Sequence, residues 1–181
     1  IPNRLAKPVP KAFKAPKEEN FLLFIGRKHP QKNPKFLKKI VESMDTQFPG
    51  YKLVILGRGW KKDYFNANTE LLVIYEQKQN VFDYLKYTSC LLYISKFGEG
   101  YPNVIAEAMS IGSPIVGFDA GDYIKMTNNY PLAKTAISEK DFFEKLKSTL
   151  NSKLVMTQNQ KNRISKELDF EKTIEQYLKL I

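Results

Sequence analysis

Apolar runs that end on glycine or a short loop constrain this chain more than any other feature. Phe21 to Ile25 is unbroken in its hydrophobicity and stops at Gly26. Tyr51 to Leu56 stops at Gly57-Arg58-Gly59, and Cys90 to Ile94 leads into Ser95 and a loop. Runs this short and continuous suit strands of a parallel sheet buried on both faces. Further strands are expected at Leu71 to Tyr75, at Pro114-Ile115-Val116 and, weakly, near Leu132 to Ile137. Helical patterns stand between them. Asn33-Pro34 makes a helix start, with Phe36, Leu37, Ile40, Val41, Met44 and Phe48 recurring on one side, and Val81 to Tyr87 is a short amphipathic segment. Asp119 to Asp122 reads as a loop, and Ser138-x-x-Asp141 has the spacing of a variant capping box. Lysine-rich helices are expected over Leu154 to Leu180. Strand alternating with helix implies right-handed crossovers and an α/β fold, a doubly wound parallel sheet of Rossmann-like type. Ligands of such sheets bind beyond the carboxyl ends of the strands, where the loops at Arg27, Gly57 and Ser95 are delivered.

One of those loops carries the densest signal, Phe97-Gly98-Glu99-Gly100-Tyr101-Pro102-Asn103-Val104-Ile105-Ala106-Glu107-Ala108-Met109-Ser110-Ile111-Gly112. Gly98 and Gly100 allow a tight loop, and Pro102 sits where a helix begins, in a turn whose amides have no intrahelical partner. Val104, Ile105, Ala108 and Ile111 fall on one face, and Gly112 stops the helix. Free amides and the positive helix end then point at the loop's occupant, so an anion such as a phosphate is the expected guest. Glu99 lies in the loop. At roughly 100° per residue Glu107 lies just off the apolar arc, where its carboxylate can accept from vicinal hydroxyls such as those of a ribose. Arg27 and Lys32, at a strand end and a helix start, reach the same edge as two cations able to clamp a diphosphate. On the residues alone, Arg27 and Lys32 read more readily as solvated loop cations, and the glutamates as a dipole-complementing loop charge and a helix surface charge.

Glu99-x7-Glu107, Ala108-Met109 and Gly112-Ser113-Pro114-Ile115-Val116, in register, resemble the signature of the family-four retaining glycosyltransferases of the GT-B fold, the glycosyl transferases of group 1. The likeness runs from Phe21 to about Ile181. It implies the carboxy-terminal, donor-binding half of such an enzyme, with extra carboxy-terminal helices. In that reading Arg27 and Lys32 contact the donor pyrophosphate, Glu99 the sugar hydroxyls and Glu107 the ribose. The resemblance makes Arg27, Lys32 and Glu99 the catalytic set, and assigns Gly26, Gly57, Gly100, Tyr101, Pro102, Asn103 and Glu107 to donor binding. Backbone amides from Gly100 to Asn103 reach sugar and phosphate, Gly57 and Gly59 match a glycine turn, and the backbone of Ile74 to Gln77 takes the base. The family usually has glycine where this chain has Asn33, and a second glycine-rich loop near Asp119-Ala120-Gly121-Asp122. The expected donor is a UDP- or GDP-sugar, with no cofactor and no metal: there is one histidine, His29, and no Asp-x-Asp motif. Residues 1–19, rich in proline and lysine, read as an interdomain linker, so the chain reads as a fragment whose domain is 20–181 and whose acceptor contacts lie in an absent amino-terminal half. A noncatalytic nucleotide-binding or regulatory module, or a GT-B epimerase or phosphorylase, are the alternatives.

Composition narrows the partners. The 181 residues include 43% hydrophobic and 27% charged side chains, those of a soluble globular domain able to bury a core. The apolar runs are far too short to span a bilayer. A net charge of +10 invites nucleic acid, yet the lysines are spread out and no zinc-finger or aromatic RNA-binding motif occurs. Peripheral contact with an anionic membrane surface fits better. Cys90 is a lone cysteine in an apolar run, read as a buried thiol, and cytoplasmic residence fits. Trp60 reads as core or cleft wall. With the resemblance, a bacterial surface polysaccharide or glycolipid is the expected product.

Overall fold

A computed structural model describes residues 20–66, 69–76, 80–98, 100–152 and 156–167. Among them six parallel strands form one sheet in the order β3-β2-β1-β4-β5-β6. The strands are β1 (Phe21–Ile25), β2 (Lys52–Leu56), β3 (Leu72–Tyr75), β4 (Cys90–Tyr93), β5 (Ile115–Phe118) and β6 (Ala133–Ala136). The helices are α1 (Pro34–Gln47), α2 (Val81–Tyr87), α3 (Asn103–Ile111), α4 (Tyr123–Thr127), α5 (Glu139–Leu150) and α6 (Gln158–Glu167). This strand order is that of a doubly wound Rossmann-like sheet, in which the chain reverses direction across the sheet between β1 and β4.

The alternation of side chains along β1 builds a core on each face. Leu22 and Phe24 join Phe36, Leu37 and Ile40 of α1 and Phe142 and Leu146 of α5. Phe21 and Leu23 join Tyr84 and Leu85 of α2, Ile105 and Met109 of α3, Tyr123 of α4 and Ile164 of α6. Every residue from Phe21 to Phe24 is at most 2% exposed. A central strand buried on both sides has to be apolar throughout, which is why its run is continuous and not alternating. Truncating such a residue, Leu37→Ala for example, costs about 2 to 5 kcal/mol.

Several expected boundaries move by a residue or two. The strand expected from Tyr51 starts at Lys52, and that expected from Leu71 starts at Leu72, because a short 3-10 turn takes Thr69–Leu71. In α3 the fully buried residues are Ile105, Ala106, Ala108 and Met109, so the arc is turned relative to the expected Val104–Ile111 face. The cause is that α3 has neighbours on several sides, packing against α2, α4 and α6. Helix α4 lies where only a loop was expected to lead on to β6. Tyr123 anchors it: its ring stacks on Tyr93 at 5.0 Å, and a Cβ on Gly117 would lie 2.8 Å from that ring. Of the lysine-rich region expected to be helical, α6 covers Gln158–Glu167, and residues 168–181 lie outside the described set, as do the expected linker residues 1–19.

Candidate functional site at the strand-order reversal

The loops that follow β1 and β4 leave adjacent strands in opposite directions, and the space between them is the ligand crevice of this fold class. Gln31 ties the two together. Its carbonyl accepts from the amide of Lys96 at 2.9 Å, and its Nε2 donates to the carbonyl of Gly98 at 2.7 Å. Gly98 sits at φ 70°, left-handed, and a Cβ there would lie 3.0 Å from that Nε2. The β5 loop is joined in as well, since the Asp122 amide donates to the Gly100 carbonyl at 3.2 Å. In place of a second glycine-rich loop, the Asp119 to Asp122 stretch thus braces the first one.

Gly26 and Gly57 meet at the ends of β1 and β2. A Cβ on Gly57 would stand 2.0 Å from the Gly26 carbonyl oxygen, so only glycine fits. The stem of Lys32 folds back over Gly26, where a Cβ would lie 3.2 Å from its Cγ, Cδ and Cε. Arg27 is exposed, and His29 is exposed and accepts from the Gln31 amide through Nδ1 at 3.3 Å. Asn33, 5% exposed, takes φ 52° and ψ 57°, and its Oδ1 accepts from Phe36 N at 3.4 Å to start α1. It is the single non-glycine residue at positive φ among those described. Asparagine tolerates that region better than other side chains. The replacement of the family's glycine by Asn33 therefore keeps a backbone conformation that glycine adopts without cost.

The first turn of α3 faces the same crevice. Pro102 is its N-cap, one position before the first helical residue, and gives no side-chain cap. The Oδ1 of Asn103 is buried without a hydrogen-bond partner among the described residues. Glu107 is half-buried, and burial alone pushes its carboxyl above the usual range. Burial likewise raises the Tyr101 hydroxyl. Glu99 lies outside the described residues, as does Gln77 at the expected base subsite. The described members, Gly26, Arg27, Lys32, Gly57, Gly100, Tyr101, Pro102, Asn103 and Glu107, thus belong to the loops at one sheet edge and to the first two turns of α3, which starts there. Among the described residues no three His, Cys, Asp or Glu side chains gather as a metal site. Gln31 was missed by the residue patterns. Its two bonds reach Lys96 and Gly98, and no local motif announces them.

Comparison with known proteins agrees with this architecture. An uncharacterized glycosyltransferase of Methanocaldococcus jannaschii is 30% identical over a match covering 62% of this chain and 29% of its own length. An uncharacterized glycosyltransferase of Haemophilus influenzae is 25% identical over 97% of this chain and 52% of its own. The chain therefore spans about half, or less, of these curated relatives. The structure of Anabaena HepE in complex with UDP and glucose superposes with a TM-score of 0.69 at 15% identity, covering 90% of this chain and 49% of that one. At such identity the likeness is one of fold, the GT-B type. The family described as "Glycosyl transferases group 1" matches residues 7–167, and with the six-stranded sheet and its switch-point loops this places the chain in that family.

Proposed function

We propose that this chain is the nucleotide-sugar-binding half of a retaining glycosyltransferase, taking a UDP- or GDP-sugar and passing the sugar to an acceptor hydroxyl on the same face. The observation that carries the reading is the Gln31 tie, which holds the Arg27–Lys32 loop against the loop that opens α3 at the point where the strand order reverses. Cations on one side and helix-end amides on the other suit a diphosphate, and a partly desolvated carboxylate in the second turn suits a ribose. Arg27 and Lys32 hold the diphosphate. Amides from Gly100 to Asn103 reach sugar and phosphate, Glu99 takes the sugar hydroxyls and Glu107 the ribose. The UDP complex of HepE supports a donor of this class.

As the glycosidic bond to the donor breaks, negative charge grows on the departing diphosphate. Fixed cations and amides stabilise it there, since they need no reorganisation during the step. No protein nucleophile is assigned. The acceptor, a saccharide or lipid-linked one of a bacterial surface polymer, is held by the amino-terminal half, joined through residues 1–19. The cationic surface of a chain with net charge +10 allows peripheral contact with an anionic membrane from the cytoplasmic side. Calorimetric titration with UDP, GDP and ADP and their sugars tests the reading. One nucleotide series should bind, with equal affinity in EDTA and in magnesium, and binding by none would overturn it.

A further inference from the structure

Trp60, the chain's single tryptophan, is 1% exposed. Its ring meets Phe24 edge-on at 5.6 Å and stacks on Phe65 at 5.8 Å, contacts that any large aromatic ring could make. They do not account for its polar atom. Nε1 donates a 2.7 Å hydrogen bond to the carbonyl of Gly26, across 34 residues of sequence. Gly57, whose Cβ would lie 2.0 Å from the same oxygen, leaves the space for that carbonyl. The Gly26 carbonyl is therefore fixed toward the β2 side by a donor and by a matching gap.

A trans peptide is planar, so its N–H points opposite to its carbonyl. Turning the Gly26 carbonyl toward β2 turns the Arg27 amide the other way, to the β4 side, where the strand order reverses. Its neighbours face β2: the Gly26 amide donates to Leu56 O at 2.9 Å and the Lys28 amide to Arg58 O at 2.8 Å. Between them the Arg27 amide takes no hydrogen-bond partner among the described residues. Two amides on the flanks are spent on structure, and the middle one is presented to the crevice.

We propose that Trp60 is a positioning residue for donor binding, its indole N–H locking the Gly26–Arg27 peptide so that the Arg27 backbone N–H meets an anionic oxygen of the nucleoside diphosphate. This rests on the donor reading above and adds to it a backbone ligand and the residue that aims it. Trp60→Phe keeps an aromatic ring and removes the donor. The Gly26 carbonyl is then free to turn, and nucleoside diphosphate binding should weaken about three- to tenfold, the loss of one net hydrogen bond. In the wild-type chain, hydrogen exchange at the Arg27 amide should slow when the UDP, GDP or ADP that binds is brought to saturation. A variant that binds within twofold of wild type, or an Arg27 amide whose exchange does not change at saturation, overturns the inference while leaving the donor reading in place. Should Trp60→Phe not fold, the exchange measurement on wild type decides alone. If none of the three nucleotides binds the wild-type chain, the donor reading falls and this inference with it.

Discussion

Helices α3 and α5 both begin at the carboxyl edge of the sheet, and their first turns are finished in opposite ways. In α5, Ser138 Oγ accepts from the Asp141 amide at 3.1 Å, and the Asp141 carboxylate accepts from the Ile137 amide at 2.8 Å and from Lys145 Nζ at 2.7 Å. The bonds from Lys145 and then Ile137 hold the Asp141 carboxyl below the usual range. The chain itself thus caps the Asp141 amide of that helix end and ties down the residue before its cap. In α3, Pro102 supplies no cap, Asn103 Oδ1 is buried without a partner, and the desolvated Glu107 takes no ion pair or hydrogen bond through its carboxylate among the described residues. A helix end that is locally satisfied contributes stability, about 1 kcal/mol for a good cap. One left unsatisfied costs stability, and that cost is recovered when a ligand supplies the missing groups.

Replacing the acid of each helix should break the symmetry most sharply. Glu107→Ala should weaken nucleoside diphosphate binding about ten- to hundredfold per hydrogen bond lost, and should abolish most of the preference for a ribonucleotide over its 2′-deoxy analogue. Asp141→Ala should leave both unchanged. Calorimetry on the two folded variants checks this; equal affinities would make Glu107 a surface charge. Gln31→Ala tests the tie between the loops: loss of the bond to Gly98 should weaken nucleotide binding about three- to tenfold, with little change in Tm. Ser138→Ala is the counterpart on α5. It should cost about 1 kcal/mol of stability in a denaturant titration and leave nucleotide affinity alone.

What the residues alone made legible follows the same divide between local and distant causes. Strand β1 and helix α2 fall at Phe21–Ile25 and Val81–Tyr87 as their patterns require, because a continuous apolar run and a short amphipathic one are local facts. The Ser138–Asp141 box was readable for the same reason. Glu107 was expected just off an apolar arc that the structure turns, so its half-burial was not fixed by spacing alone. Helix α4 was not readable, for its five residues are held by Tyr123 stacking on Tyr93, a contact 30 residues apart in sequence with nothing local to announce it. Gln31 escaped notice likewise, and Trp60, rightly expected in the core, gave no sign of its hydrogen bond. Their bonds to Gly98 and Gly26 span 67 and 34 residues, and each residue looks ordinary in its own surroundings.

Acidity offers the finest distinction between the two helices, because their carboxyls are displaced in opposite directions. Glu107 is raised by burial, so the folded chain holds that proton more tightly than the unfolded chain does. Between the ordinary and the raised value the native state binds more protons, and stability therefore falls as pH rises through that window. Asp141 is lowered by its bonds from Lys145 and Ile137, so its contribution is present above the ordinary value and is lost as pH falls toward the depressed one. Glu107→Gln removes the cost of a buried charge while keeping the shape. Its Tm should exceed wild type slightly near neutral pH, and the advantage should fade as the pH drops into the ordinary carboxylate range, around 4. Asp141→Asn should do the reverse, lowering Tm at neutral pH and converging on wild type in acid. Melting curves of the three proteins from neutral pH into acid decide it. If Glu107→Gln instead lowered Tm near neutrality, the carboxylate would be making a stabilising contact within the folded chain, and the contrast with Asp141 would collapse.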